Sequence, residues 1–239
     1  MAGRLSRLGL KFEFVDAVDG SASSPPELAA RSHSRDTLRL LGRNLTPGEI
    51  GCGLSHLRLY RRLLDSALEE AVILEDDVIL DPALPAFLRQ RHRLPEKWEL
   101  LHLHVGLPRA PFSIWGARKL SEQLRCVRLT IPVNGSFGYL IRRAGAEKLL
   151  QHSRNRCGDV VRVPADVLCG GSLKTGLRLY GIDPAVVLHQ DGESTMPDAY
   201  ALRAGIAAMK NHGLMRRTYL NARERAAVLY KRANPFLVF

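Results

Sequence analysis

No run of about 18 apolar residues occurs anywhere in the 239-residue chain, so no membrane-spanning helix is expected. The opening MAGRLSRLGLKFEF has no long apolar stretch of the kind a secretory signal carries. Cysteine is scarce. Cys52, Cys126, Cys157 and Cys169 stand apart, with no C-x-x-C spacing, which reads as reduced thiols in a cytoplasmic protein. Aromatic residues make up only 6% of the chain, and no nucleic-acid module is recognisable; both argue against a nucleic-acid binder. Acidic residues also run short, 24 against 35 Lys and Arg, for a net charge of +11. That balance favours acidic partners such as nucleotide diphosphates and anionic lipid or glycolipid.

Hydrophobic content of 46% and charged content of 25% are ordinary for a globular protein, and the length suits one large domain. Residues 199–239 hold eight Lys or Arg against the single acid Glu224, so this stretch carries +7 of the net charge. Its apolar residues are interleaved with the basic ones. A basic helix over about 198–232 is expected, either lying on an anionic membrane surface or packing back on the core.

The richest stretch is AVILEDDVIL, residues 71–80. A short apolar run meets Glu75, Asp76 and Asp77, then resumes at Val78. A buried strand that ends in adjacent carboxylates is costly unless water, a cation or a basic partner meets them. Ligands of open α/β sheets bind in the crevice at the carboxyl ends of strands. On an extended strand Glu75 and Asp77 would point to the same side. Two hard oxygen donors there suit Mg²⁺ or Mn²⁺, which in turn holds phosphate. The alternative is a plain acidic turn.

Thr46-Pro47-Gly48-Glu49 is a helix start: Thr46 as N-cap, Pro47 at N1 and Glu49 completing a capping box. The helix should run to about residue 66. Gly51, Cys52, Gly53 and Ser55 make its first turns thin, for close packing or for a ligand. Residues 11–18 (KFEFVDAV) alternate apolar and polar and read as a strand; SASSPPE, 21–27, reads as a loop. Further strands are expected at 71–75, 99–105, 137–141, 177–182 and 185–188. Helices are expected near 83–92 and 144–152, a short helix or turn after residue 163, and an irregular loop over 107–120. His102 and His104 share a strand face, which is more often packing than ligation. Strands alternating with helices imply an α/β layered domain.

FEFVDAVDG (12–20), LTPGEIGCGLSHLRLYRRLL (45–64), AVILEDDVIL (71–80), GSFGYLIRRAGAEKLL (135–150) and VPADVL (163–168) occur in that order. Together they resemble glycosyltransferase family 25, which includes bacterial lipopolysaccharide and lipooligosaccharide galactosyltransferases and the collagen galactosyltransferases. The resemblance covers about residues 8–195. It implies a GT-A-like (Rossmann-like) mixed sheet flanked by helices, as a domain over 1–197 with a basic helical extension over 198–239. The chain opens inside the helix that follows the family's usual first strand: either the start is misplaced, or the chain is truncated and the sheet is expected to lack that strand.

The resemblance also implies an inverting transfer of a hexose, usually galactose, from a UDP-sugar to a sugar acceptor of a surface glycolipid. The enzyme would be cytoplasmic and peripheral on the inner membrane, and would use a divalent cation, usually Mn²⁺. In this chain the cation ligands would be Glu75, Asp77 and His189. Asp166 matches a family Asp and is the first candidate for the general base, Asp76 the second; Asp166 could instead cap the short helix. Asn134, Gly135, Ser136, Gln190 and Ser194 match family positions and are candidates for donor or substrate binding; Ser55 and His56 match a family pair in the capped helix, for contact with substrate or for helix-to-sheet hydrogen bonding. The other reading is a truncated, non-catalytic member that binds a sugar or a partner.

Overall fold

A computed structural model describes residues 1–104, 112–130, 132–133, 135–156, 158–171 and 175–189, with the backbone alone at 112–116 and 189. The expected basic helix over 198–232, and the candidates Asn134, Gln190 and Ser194, lie outside the described residues.

The chain folds as a mixed α/β domain. Its helices are α1 (Ala2–Arg7), α2 (Pro25–Arg31), α3 (Ser34–Leu41), α4 (Pro47–Asp65), α5 (Leu84–Arg89), α6 (Arg143–His152) and α7 (Ala165–Cys169). Its strands are β1 (Glu70–Leu74), β2 (Val78–Leu80), β3 (Leu100–His102), β4 (Phe112–Lys119), β5 (Arg125–Leu129), β6 (Gly138–Arg142), β7 (Arg154–Asn155), β8 (Gly158–Asp159), β9 (Leu179–Asp183) and β10 (Val187–His189). Six strands form the main sheet in the order β1-β6-β3-β9-β5-β4. Only β3 and β9 run parallel; the other neighbours are antiparallel. None of the described helices is long and apolar enough to cross a membrane.

Side-chain alternation divides the core between the two faces of this sheet. Leu100, Tyr139 and Ile141 join the cluster under α4 and α6, with Ile50, Leu57, Tyr60, Leu63 and Leu149. Leu101, Leu103, Leu140 and Ile182 join the opposite cluster, with Phe87, Trp98 and Val187. The apolar sequence of β6 and β3 follows from burial on both faces.

The expected start of α4 is present in full. Thr46 accepts from the Glu49 amide at 3.2 Å, and the Glu49 carboxylate accepts from the Thr46 amide at 2.9 Å. Buried Glu49 also holds Arg43 in two hydrogen bonds of 2.6 and 2.7 Å, which raises the Arg43 pKa. At the other end Arg143 donates to the carbonyls of Leu63, Leu64 and Ser66 at 2.7–2.9 Å. These are acceptors a helix terminus leaves without partners, and the bond ties the end of α4 to the start of α6.

The thin turns of α4 serve packing. A Cβ on Gly51 would lie 2.4 Å from the Val18 carbonyl oxygen, and one on Gly53 would lie 2.6 Å from the Val161 side chain. Backbone around residues 18–20 therefore lies directly on the helix.

Three expectations are corrected. Residues 11–18 have no strand ladder, although the alternation predicted one; they run exposed, with Phe14 59% accessible. Residues 21–27 are not all loop, because Ser24 and Glu27 form a capping box that starts α2 at Pro25. Within 107–120, β4 pairs with β5 across an irregular register between Ser113 and Arg118.

Candidate functional site

β1 ends at Leu74, and the acids follow on a turn rather than on a continued strand. This corrects the picture of Glu75 and Asp77 side by side on one extended segment. Glu75 leaves the sheet edge facing α4, Asp76 and Asp77 occupy the exposed turn, and β2 begins a separate two-stranded sheet with β10. That pairing sets His189 opposite Val78, the residue after Asp77. The backbone thus brings the three predicted metal positions, 75, 77 and 189, to one end of β1. Arg4 of α1 donates to the Val78 carbonyl at 2.7 Å, which places a guanidinium beside the same turn.

The Glu75 carboxylate is one-third exposed and lies 3.6 Å from His56 Nε2. Ser136 Oγ donates to it at 2.6 Å. Its backbone amide donates to the Phe137 carbonyl at 3.0 Å, so the loop before β6 holds both ends of the residue.

His56 is buried. Its Nδ1 lies 2.6 Å from the Tyr139 hydroxyl, which lies 2.9 Å from the Tyr60 hydroxyl. Burial pushes both phenols well above their ordinary pKa, so they remain neutral donors and acceptors. The result is a chain of polar groups, Tyr60–Tyr139–His56–Glu75–Ser136, leading from the core to the surface. Burying such groups is tolerable only when they bond to one another.

Gly135 fixes the loop that presents Ser136. Its φ is +111°, and a Cβ there would sit 2.7 Å from the Phe137 ring and 2.8 Å from His104 Nε2. A side chain is both strained and blocked at this position. Gly135→Ala is expected to cost about 1–3 kcal/mol and to shift Ser136 off Glu75, read as a lower thermal midpoint.

Asp166 lies in the first turn of α7, 9% exposed. Pro164 is the N-cap of that helix, so Asp166 does not cap it. Its charge acts on Arg43 and on Cys169, and Glu75 also acts on Cys169. Cys169 Sγ is 3.8 Å from the Gly135 carbonyl oxygen, and the Val133 amide donates to the Gly170 carbonyl at 2.9 Å. Asp166, the Gly135–Ser136 loop and Glu75 therefore all approach Cys169, and Asp166 also acts on Arg43.

Ser55 faces elsewhere. Its hydroxyl donates to the Gly51 carbonyl and accepts from the Val18 amide, both at 2.8 Å, and so ties residue 18 to α4. His102 is fully buried, with Nε2 3.3 Å from the Cys169 carbonyl oxygen. Burial, and then the neighbouring His104, hold its imidazole well below the ordinary range. His104 Nδ1 meets the Gly138 carbonyl at 3.0 Å. β3 ends at His102, so the two histidines do not share a strand face as expected; His102 packs in the core and His104 follows the strand.

Sequence reasoning does not single out Tyr60 or Tyr139, because their partners are about 80 residues apart in the chain. Cys52 carried a signal. It precedes His56 by four residues on a capped helix, so the two share a face. Cys52, His56 and Glu75 offer ligand atoms within 4.8 Å of one another, the one such group of three among the described residues. Asp76 and Asp77 are outside it.

The model of the family "Glycosyltransferase family 25 (LPS biosynthesis protein)" matches residues 1–169. The chain belongs to glycosyltransferase family 25. A "Glycosyltransferase 25 family member" of Aedes aegypti is 30% identical over 174 residues, covering 63% of this chain and 25% of that protein. "Procollagen galactosyltransferase 2" of Mus musculus is 28% identical over 169 residues, covering 59% of this chain and 23% of the mouse protein. A Bos taurus relative at 29% over 154 residues is named "Probable inactive glycosyltransferase 25 family member 3", with 57% of this chain and 23% of that protein covered. The match to this chain spans about a quarter of the length of these relatives. Glu75, Gly135, Ser136 and Asp166 all fall within the matched residues.

Proposed function

We propose that this chain is an inverting sugar transferase that moves a hexose, galactose in the first instance, from a UDP-sugar to a sugar acceptor of a bacterial surface glycolipid. The observation that carries the reading is the Ser136 hydrogen bond to Glu75 at the end of β1 in a family 25 chain, with buried Asp166 of α7 near enough that it and Glu75 both act on Cys169.

Inversion requires one displacement at the anomeric carbon, through an oxocarbenium-like state. A carboxylate must take the proton of the attacking hydroxyl. Asp166 is assigned that role and Asp76 is the second candidate. Glu75 and Asp77 supply hard carboxylate oxygens, one half-buried and one exposed, and such a donor set fits Mn²⁺ or Mg²⁺. His189 is the third candidate ligand, from its backbone position opposite Val78. A cation held there neutralises charge on the departing diphosphate. Arg43 and Arg4 add fixed positive charge nearby. The excess of basic residues suits an acidic donor and a peripheral site on an anionic cytoplasmic membrane face.

A second reading, a non-catalytic family member that binds a sugar or a partner, is supported by the relative named as probable inactive. UDP release measured over a panel of UDP-sugars, with and without Mn²⁺, separates the two. The transferase reading expects Mn²⁺-dependent release with one preferred donor. It also expects Asp77→Ala to raise the Mn²⁺ needed for half-maximal release by about 10–100-fold. Donor binding without release, for every sugar and acceptor tried, would establish the second reading instead.

A further inference from the structure

Glu75 has neighbours that a hard-cation site does not call for. Cys52 and His56 lie one turn apart on the same side of α4, and the Glu75 carboxylate closes over them from the end of β1. The three ligand atoms lie within 4.8 Å of one another.

The geometry points to a Zn²⁺-type metal site formed by Cys52 Sγ, His56 Nε2 and a Glu75 carboxylate oxygen, with the fourth position open.

The donor set is the first support. Thiolate and imidazole are borderline-soft ligands that suit Zn²⁺ or Co²⁺ and are a poor match to Mn²⁺ or Mg²⁺. Bonds of about 2.0–2.3 Å in a tetrahedron place ligand atoms roughly 3.3–3.7 Å apart. His56 Nε2 and Glu75 Oε1 are already 3.6 Å apart, so the thiol need close by only a small side-chain adjustment.

Orientation is the second. The Tyr139 hydroxyl occupies His56 Nδ1 at 2.6 Å, which leaves Nε2 as the nitrogen turned to the cluster. Ser136 Oγ holds Glu75 at 2.6 Å. A hydrogen bond on the far nitrogen of a histidine, and another on the carboxylate, are what fix ligands around a metal.

Charge is the third. On binding, Cys52 gives its thiol proton to solvent. One thiolate, one carboxylate and a neutral imidazole then cancel the two positive charges, so the half-buried site carries no net charge. The other described thiols cannot compete. Burial pushes the Cys126 thiol up to about 12 and the Cys169 thiol well above its ordinary value, whereas Cys52 is only half-buried.

Metal binding here does not depend on the transferase reading. If that reading holds, Zn²⁺ takes Glu75 from the catalytic cation and inhibits transfer.

The test uses Co²⁺ as the probe on the full chain, with a phosphine reductant in place of thiols. One Co²⁺ per chain is expected. It should show the intense visible bands of a four-coordinate centre and a thiolate-to-Co²⁺ charge-transfer band in the near ultraviolet, both removed by stoichiometric Zn²⁺. Cys52→Ser should abolish the charge-transfer band with an unchanged thermal midpoint. Glu75→Gln should weaken binding by about 100-fold and Tyr139→Phe by about 10-fold, while Cys126→Ser should leave the spectrum alone. Only faint six-coordinate bands in the wild type would overturn the site. So would a charge-transfer band that survives in Cys52→Ser and disappears in Cys157→Ser.

Discussion

Asp166→Asn is expected to lower turnover by about 10²–10⁴-fold, the range typical of losing a positioned general base, while the fold is retained. The replacement keeps the size of the side chain and its capacity to accept a hydrogen bond. It removes the negative charge and the ability to take a proton. Asp166 sits in the first turn of a five-residue helix, so neither a long helix nor a cap depends on it. Its carboxylate acts on Arg43, but Arg43 keeps two hydrogen bonds to Glu49. The thermal midpoint should therefore move little.

The kinetic signature separates a base from a binding group. Loss of a base lowers kcat and kcat/KM together, whereas loss of uniform binding raises KM at constant kcat. If Asp166→Asn changes only KM, Asp166 contacts substrate without accepting the proton, and Asp76 becomes the candidate. The donor-binding affinity of the variant, measured by calorimetry with UDP, should stay near that of the wild type in either case. A loss of UDP affinity as large as the loss of turnover would remove Asp166 from the chemical step.

How much of this site could be read from residues alone depends on the range of the interactions. The start of α4 was legible because the capping box is made within four residues, Thr46 to Glu49. The carboxylates after β1 were legible as charge at a strand end. Their directions were not, because the chain turns at Asp76 and Asp77 and turn geometry is set partly by β2 finding β10. Ser55 illustrates the same point. Its place on a capped helix was visible, but its hydroxyl is consumed by Gly51 and Val18, a choice made by the path of residues 18–20.

Residues 11–18 failed for a related reason. Alternation encodes two faces, and a strand also needs a neighbour for its backbone groups; no ladder forms there. β4 is the converse. Its pattern is interrupted, yet β5 pairs with it around an irregular step. The Tyr60–Tyr139–His56 chain joins α4 to β6, and no local pattern announces such a contact.

The largest stability effect is expected at Glu99, which precedes β3 at the end of the sheet opposite the acidic turn. The Glu99 side chain is 3% exposed, and Lys148 Nζ donates to both of its oxygens at 2.9 Å. Arg178 donates from its side chain at 2.6 Å and from its backbone amide at 2.9 Å. The carboxylate thus joins α6, the start of β3 and the segment entering β9, where the main sheet makes its single parallel pairing. Burial works to raise the Glu99 pKa, but Lys148 and Arg178 outweigh it and hold the carboxyl below its ordinary value.

The two sides of this cluster are not equivalent. Lys148 and Arg178 are each more than one-third exposed, so after Glu99→Gln both cations can turn to water. The loss should be about 1–2 kcal/mol, close to that of hydrogen bonds to a charged group. Removing both cations, Lys148→Ala with Arg178→Ala, strands a buried carboxylate. That should cost about 3–5 kcal/mol, a drop of roughly 6–20 °C in the midpoint of a domain this size.

Both deficits should close on acidification, but from different starting pH values. In the wild type the depressed Glu99 pKa adds stability that is fully present above the unfolded value of about 4.3 and is lost as pH falls through the folded one. The gap between wild type and Glu99→Gln should therefore be flat above about pH 5 and narrow below it. In the double variant the Arg178 backbone amide still donates to the carboxylate, but both cations are gone and burial, the largest influence, raises the carboxyl pKa. Its own deficit should shrink as acid protonates the stranded group, beginning at a higher pH. Urea melts of the three proteins between pH 4 and pH 8 read both curves. Equal losses for the two kinds of variant would mean that solvent reaches Glu99 and that the cluster behaves as an ordinary surface ion pair.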